Sequence, residues 1–121
     1  MSDWRRWLGS WGEEKAAEFL KGRGYQIVER NWRCTIGELD LIAWEGECLT
    51  FIEVRTRRGR SYGTPEESIT PAKKAKLIEL AQAYLQEHPE LDCDWRIDVV
   101  AVELGGAQPR INLIRNAVMG G

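Results

Sequence analysis

The chain has 121 residues, 43% of them hydrophobic and 30% charged, with a formal net charge of −2, a balance that suits one soluble globular domain spanning residues 1–121. No apolar run approaches the ~20 residues of a membrane span, and the N-terminus lacks the apolar stretch of a secretory signal, so a cytoplasmic location is expected. Three scattered cysteines, Cys34, Cys48 and Cys93, and a lone histidine, His88, form no closely spaced ligand pair, which argues against structural zinc and against a disulfide framework.

In chain order, Trp4, Trp7 and Trp11 fall on one helical face. Two readings are open for them: an aromatic patch for a partner or for base stacking, or a short N-terminal helix folded back on the core. Ser10-Trp11-Gly12-Glu13 has the pattern of a capping box, and Ala16, Ala17, Phe19 and Leu20 follow at helical spacing before Gly24, so a first helix is predicted from about Trp11 to Arg23. Tyr25 to Arg33 alternates apolar and polar residues as a strand near a sheet edge would.

Ile36 to Trp44 and Cys48 to Thr56 are the next two strands. Gly46 at the first central position of the intervening Gly46-Glu47 loop is a type II′ hairpin signal. With that turn Glu45 pairs with Cys48, and counting back sets Asp40 opposite Glu53, their Cβ atoms about 4.5–5.5 Å apart. Arg55 shares their face with Ile42, Leu49 and Phe51, an apolar strip that something must cover. A second helix from about Thr70, with Pro71 in its first turn, to Glu87 offers Ala72, Leu77, Leu80, Ala81, Tyr84 and Leu85 for that purpose. Asp94 to Leu104 is a buried strand and Arg110 to Arg115 a short last one, which completes the order α-β-β-β-α-β-β and a layered α/β domain.

Asp40, Glu53 and Arg55 are charges set into otherwise apolar strands, and such groups are expensive unless they are paired or hold a cation. Two carboxylates at cross-strand distance suit Mg²⁺ or Mn²⁺, hard ions that bind through one or two carboxylates plus substrate phosphate. The competing reading ties both carboxylates to Arg55 in a structural ion pair. Downstream, Arg57, Arg58 and Arg60 gather beside Lys73, Lys74 and Lys76, a local positive charge that suits phosphate contact or a solvated loop. Asp98 is expected in an ion pair.

An Asp on one strand followed by Glu-x-Lys on the next resembles the PD-(D/E)xK, or restriction-endonuclease-like, nucleases. The resemblance runs through the chain to the YraN family of bacterial proteins, themselves similar to archaeal Holliday-junction resolvases. It is carried by Gly12-Glu13 with Ala16, Gly24-Tyr25, Asn31-Trp32-Arg33, the segments 37–43 and 51–57, Lys73 and the segment 96–102. It implies a three-layer fold with a central mixed five-stranded sheet flanked by helices, and a metal-dependent endonuclease-like protein that binds DNA and hydrolyses phosphodiesters. Asp40 and Glu53 would be metal ligands, Arg55 would stand at the lysine position, and Glu13 would be the acidic residue of the first helix. Arg57, Arg58, Arg60 and Lys73 would meet nucleic acid, and a homodimer is implied by the likeness to resolvases. Glu13 could instead close the capping box, and Lys73 could be simply solvated. The departure is Arg55: a guanidinium cannot act as a general base, so the alternative function is a nucleic-acid-binding module with the nuclease fold and no turnover.

Overall fold

The computed structural model describes residues 2–58 and 69–118; Arg60 and the segment 61–67 lie outside them. Its elements are α1 (Ser2–Gly22), β1 (Gln26–Arg33), β2 (Glu38–Glu45), β3 (Cys48–Arg58), α2 (Pro71–Glu87), β4 (Asp94–Leu104) and β5 (Arg110–Ile114). The strands form one five-stranded sheet in sequence order, antiparallel except where β3 and β4 run parallel across the α2 crossover. This is the α/β order and mixed sheet expected from the sequence, with β1 at an edge.

Alternation along the buried strands divides the core between two faces. On one, Ile42, Leu49, Phe51 and Ile97 pack under Leu77, Leu80, Ala81 and Tyr84 of α2. On the other, Leu41, Ile52, Val100 and Val102 pack under Ala16, Ala17 and Leu20 of α1. Ala72, expected to join the first face, is exposed. The helix begins as its sequence dictates, with Pro71 in the first turn and the Thr70 side chain accepting a hydrogen bond from the Lys73 N–H (3.1 Å). That cap holds Lys73 in the first turn of α2. All three cysteines are free and half-buried.

The first helix differs from expectation. It is one continuous element, so Ser10 is an interior residue and there is no capping box at Trp11. Trp7 stacks on Trp11 one turn later (centroids 6.1 Å apart), which bridges the Gly9-Ser10 stretch that reads locally as a break. Trp11 packs against the α1 face of the core, whereas Trp4 and Trp7 remain 48% and 59% exposed and do not fold back onto it. Gly12 has a different purpose. A Cβ there would lie 2.0 Å from Thr56 Oγ1, so the absent side chain lets the α1 backbone settle directly on β3. The third strand also outlasts its predicted end at Thr56, because β4 pairs with it through Arg58↔Leu104.

Candidate metal and nucleic-acid site

The hairpin between β2 and β3 forms as read: Glu45 pairs with Cys48, and Gly46 has φ 60°. The ladder then holds through Leu41↔Ile52 and stops, so the expected cross-strand pair of Asp40 with Glu53 is not formed, while β2 continues back to Glu38 and β3 forward to Arg58. Asp40 and Glu53 are the next residues on either side of the fork where the strands part. Asp40 compensates for the interrupted ladder with its side chain, whose Oδ2 accepts the Val54 N–H (2.8 Å).

Sequence and geometry together explain why β2 turns at this point. Leu41 packs on the α1 face and Leu39, two residues earlier, on the α2 face, which regular alternation forbids. In the neighbouring strand, Arg30 pairs with Leu41 and Trp32 with Leu39, leaving Asn31 beside Asp40 with φ 52°. A left-handed conformation is far more accessible to Asn than to a branched residue. Both strands therefore rotate about their axes at the Asn31/Asp40 step, and Asp40 is turned into the fork.

Four carboxylates feel one another there. Burial raises the Asp40 carboxyl to about 8, with the negative charge of Glu53 as the next contribution, the Val54 N–H opposing, and Glu13 and Glu38 adding smaller pushes. Glu13, carried in by α1, is also raised, first by burial; its hydrogen bond with Asn31 pulls the other way and the charge of Glu38 adds to the rise. With the Asn31 amide nitrogen facing the acidic groups, it donates to Glu13 Oε1 (3.0 Å) and Glu38 Oε2 (3.1 Å). Glu53 is only 6% exposed, and its Oε2 lies 3.5 Å from Lys73 Nζ and 3.7 Å from Arg55 Nη1.

Asp40, Glu53, Glu13, Arg55 and Lys73, singled out in the sequence, are thus drawn to one fork. Among the described residues no group of three or more carboxylate, histidine or cysteine side chains is placed to hold a metal ion. Two carboxylates that share a buried fork are nevertheless a donor set that suits a hard divalent ion, because the ion offsets the burial and the repulsion that raise Asp40 and takes its remaining oxygens from water and phosphate. Glu38 and Asn31 also stand at the fork, without a role in the sequence reading. Glu38 sits two residues from Asp40 in the same run, and Asn31 opens Asn31-Trp32-Arg33, so both signals were present without a role attached.

Among the described basic residues, Arg57 and Arg58 point to opposite faces of the sheet. Arg57 Nη2 donates to Glu103 Oε2 (2.6 Å), directly across the parallel β3/β4 pair, and its side chain is only 13% exposed. Arg58, one residue on, projects to the opposite face, where its guanidinium lies over the Trp4 ring at 5.2 Å. Arg60 falls outside the described residues. Asp98 is fully buried and paired as expected: it accepts from Tyr25 Oη (2.9 Å), Arg96 Nε (2.9 Å) and the Asn116 N–H (2.8 Å). Arg96 also bonds Glu45, which binds Arg115 (2.6 Å), and this network ties β2, β4 and the end of β5 together. Among the described residues no helix is long and apolar enough to cross a membrane.

Comparison with known proteins gives a consistent result. The model of the uncharacterised protein family UPF0102 matches residues 12–102. A UPF0102 protein of Dehalococcoides mccartyi is 48% identical over 114 residues, covering 94% of each chain. One of Roseiflexus castenholzii is 51% identical over 106 residues, 87% of this chain and 86% of its own. One of Symbiobacterium thermophilum is 50% identical over 113 residues, 93% and 96% respectively. With the fold intact and the match starting at Gly12, where α1 meets β3, the chain belongs to the UPF0102 family, the YraN family that its sequence resembles.

Proposed function

We propose that this protein is a divalent-cation-dependent endonuclease acting on DNA, with Asp40 and Glu53 as the carboxylates that hold Mg²⁺ or Mn²⁺. The observation that carries the proposal is the convergence at the β2/β3 fork of Asp40, its carboxyl raised to about 8, buried Glu53, and Lys73 Nζ 3.5 Å from Glu53. A bound ion would supply charge neutralisation at the phosphate and a more acidic water.

The chain's own residues complete the site. Arg55 cannot move a proton, but its planar fork suits two phosphate oxygens. Lys73 brings from α2 the amine that the motif places on the strand, so it can orient the attacking water and exchange a proton with it. Glu13 and Glu38, held by Asn31, keep the rear of the fork negative and favour a cation at its mouth.

The second reading, a nucleic-acid-binding module without turnover, is favoured by one feature: Arg55 and Lys73 both lie within 4 Å of Glu53 Oε2, close enough to stand in for a metal. Incubating the protein with Mn²⁺ and linear, single-stranded and branched DNA separates the two. Cleavage that Asp40→Asn abolishes, and that Lys73→Ala slows by about 100-fold with little change in DNA affinity, is expected for the nuclease. No cleavage by the wild type, or undiminished cleavage by Asp40→Asn, overturns it.

A further inference from the structure

The start of α1 carries two tryptophans, Trp4 and Trp7, that stay about half exposed among the described residues. Between it and the end of β3 runs a groove of about 450 Å³, walled by Trp4, Leu8 and Glu13 on the helix and by Val54, Thr56 and Arg58 on the strand. At one end Trp4 is 48% exposed, with the Arg58 guanidinium over its ring at 5.2 Å. At the other end are Glu13 and Val54, and the Val54 N–H is the group that donates to Asp40. Glu13 also bonds Asn31 and feels the charges of Glu38 and Glu53, so this end of the groove borders the carboxylate fork, and the groove's volume is that of a small-molecule cleft.

We infer that this groove receives a single unpaired nucleobase, stacked on Trp4 beside Arg58, from a DNA strand whose adjoining phosphate lies at Asp40 and Glu53. The inference rests on the nuclease reading and adds to it a substrate class: DNA with an unpaired nucleotide next to the cleaved bond. Three observations favour a base over other occupants. An aromatic face with a cation against it is the combination that single-strand-binding grooves use, because every base offers a π-face whatever its sequence. Between its two ends the groove is walled by Trp4, Leu8 and Val54, apolar side chains that suit the neutral base and leave the charged phosphate to the fork. A base within a duplex has both faces covered by its neighbours, so only an unpaired one can stack on Trp4. Trp4 lies outside residues 12–102, the part matched by the family model, so the stacking residue is not one that the family match itself carries.

The test measures binding of fluorescein-labelled single-stranded and duplex DNA of equal length, by anisotropy at low salt without divalent ions, for the full chain and for Trp4→Ala, Trp4→Phe and Trp7→Ala. Trp7 lies outside the groove, and its substitution controls for a general loss of aromatic surface. Trp4→Ala is expected to weaken single-strand binding by about 10-fold, within the range for one lost base stack, and duplex binding by less than about twofold. Trp4→Phe is expected to keep most of the single-strand affinity and Trp7→Ala nearly all of it. An equal loss on both DNAs, or no loss with Trp4→Ala, overturns the base groove; if Mn²⁺-dependent cleavage persists in that case, the nuclease reading stands. Failure of the wild type to bind either DNA overturns both.

Discussion

Replacing Asp40 with Asn should make the metal-free protein more stable, and the size of the gain follows from the site. The Asp40 carboxyl titrates at about 8 in the fold against an ordinary value of 3.8. Below 3.8 folded and unfolded chains both carry the proton; between 3.8 and about 8 the unfolded chain loses it while the folded one keeps it, so stability falls as pH rises, and above about 8 the loss is constant. Linkage is worth about 1.4 kcal/mol for each pH interval, or about 4 kcal/mol between 3.8 and pH 7, and the partial solvent access of Asp40 reduces this to about 2 kcal/mol. Asn removes the charge and can still accept the Val54 N–H (2.8 Å in the parent) through its amide oxygen. Thermal unfolding in a chelating buffer at pH 7 should therefore give Asp40→Asn a Tm higher by roughly 6–8 °C, the difference shrinking towards pH 4. Saturating Mn²⁺ should raise the Tm of the wild type and leave Asp40→Asn unmoved, since only a protein with the ligand gains from binding. A lower Tm for Asp40→Asn at pH 7, or a difference that does not vary with pH, would refute the reasoning, because Asp40 would then be a structural acceptor at no electrostatic disadvantage.

Two further outcomes test the frame around the site. Gly12→Ala gains about 1 kcal/mol of helix propensity but sets a Cβ 2.0 Å from Thr56 Oγ1, an overpacking worth about 1–3 kcal/mol, so urea unfolding should show a net loss that largely disappears in a Thr56→Ala background. Equal effects in both backgrounds would contradict the direct contact. Asp98→Ala leaves the Arg96 guanidinium and the Asn116 N–H without their buried acceptor and should cost about 3–5 kcal/mol in the same assay; a loss below about 1 kcal/mol would show that the network is not what ties β4 to its neighbours.

The parts of this molecule legible in its sequence are those set by local chemistry. Gly46-Glu47 defines the hairpin, Thr70-Pro71 starts α2, and period-two alternation separates the two sheet faces. The start of the first helix differs because Ser10 and Glu13 carry the local signal of a capping box, which is overridden by Trp7 stacking on Trp11 and by the Gly12 backbone settling on Thr56. The trio of Asp40, Glu53 and Arg55 could be read from charge in an apolar run. The rotation of β2 at Asp40 could not, since it depends on the left-handed Asn31 in the neighbouring strand. Lys73 reaches Glu53 across the α2 crossover, and Arg57 is withdrawn by Glu103 across the β3/β4 pair; both results follow from pairings distant in sequence that no local pattern encodes.

The proposed function turns on whether the fork between β2 and β3 holds a divalent ion. A crystal structure of the protein soaked in Mn²⁺, with anomalous data collected above the manganese edge, tests it directly. The expected result is one anomalous peak between Asp40 and Glu53, with carboxylate oxygens at about 2.1 Å and Lys73 and Arg55 drawn back from Glu53. A fork without a peak, with both cations still closed on Glu53, would contradict the account and leave the acidic pair as the core of a binding module.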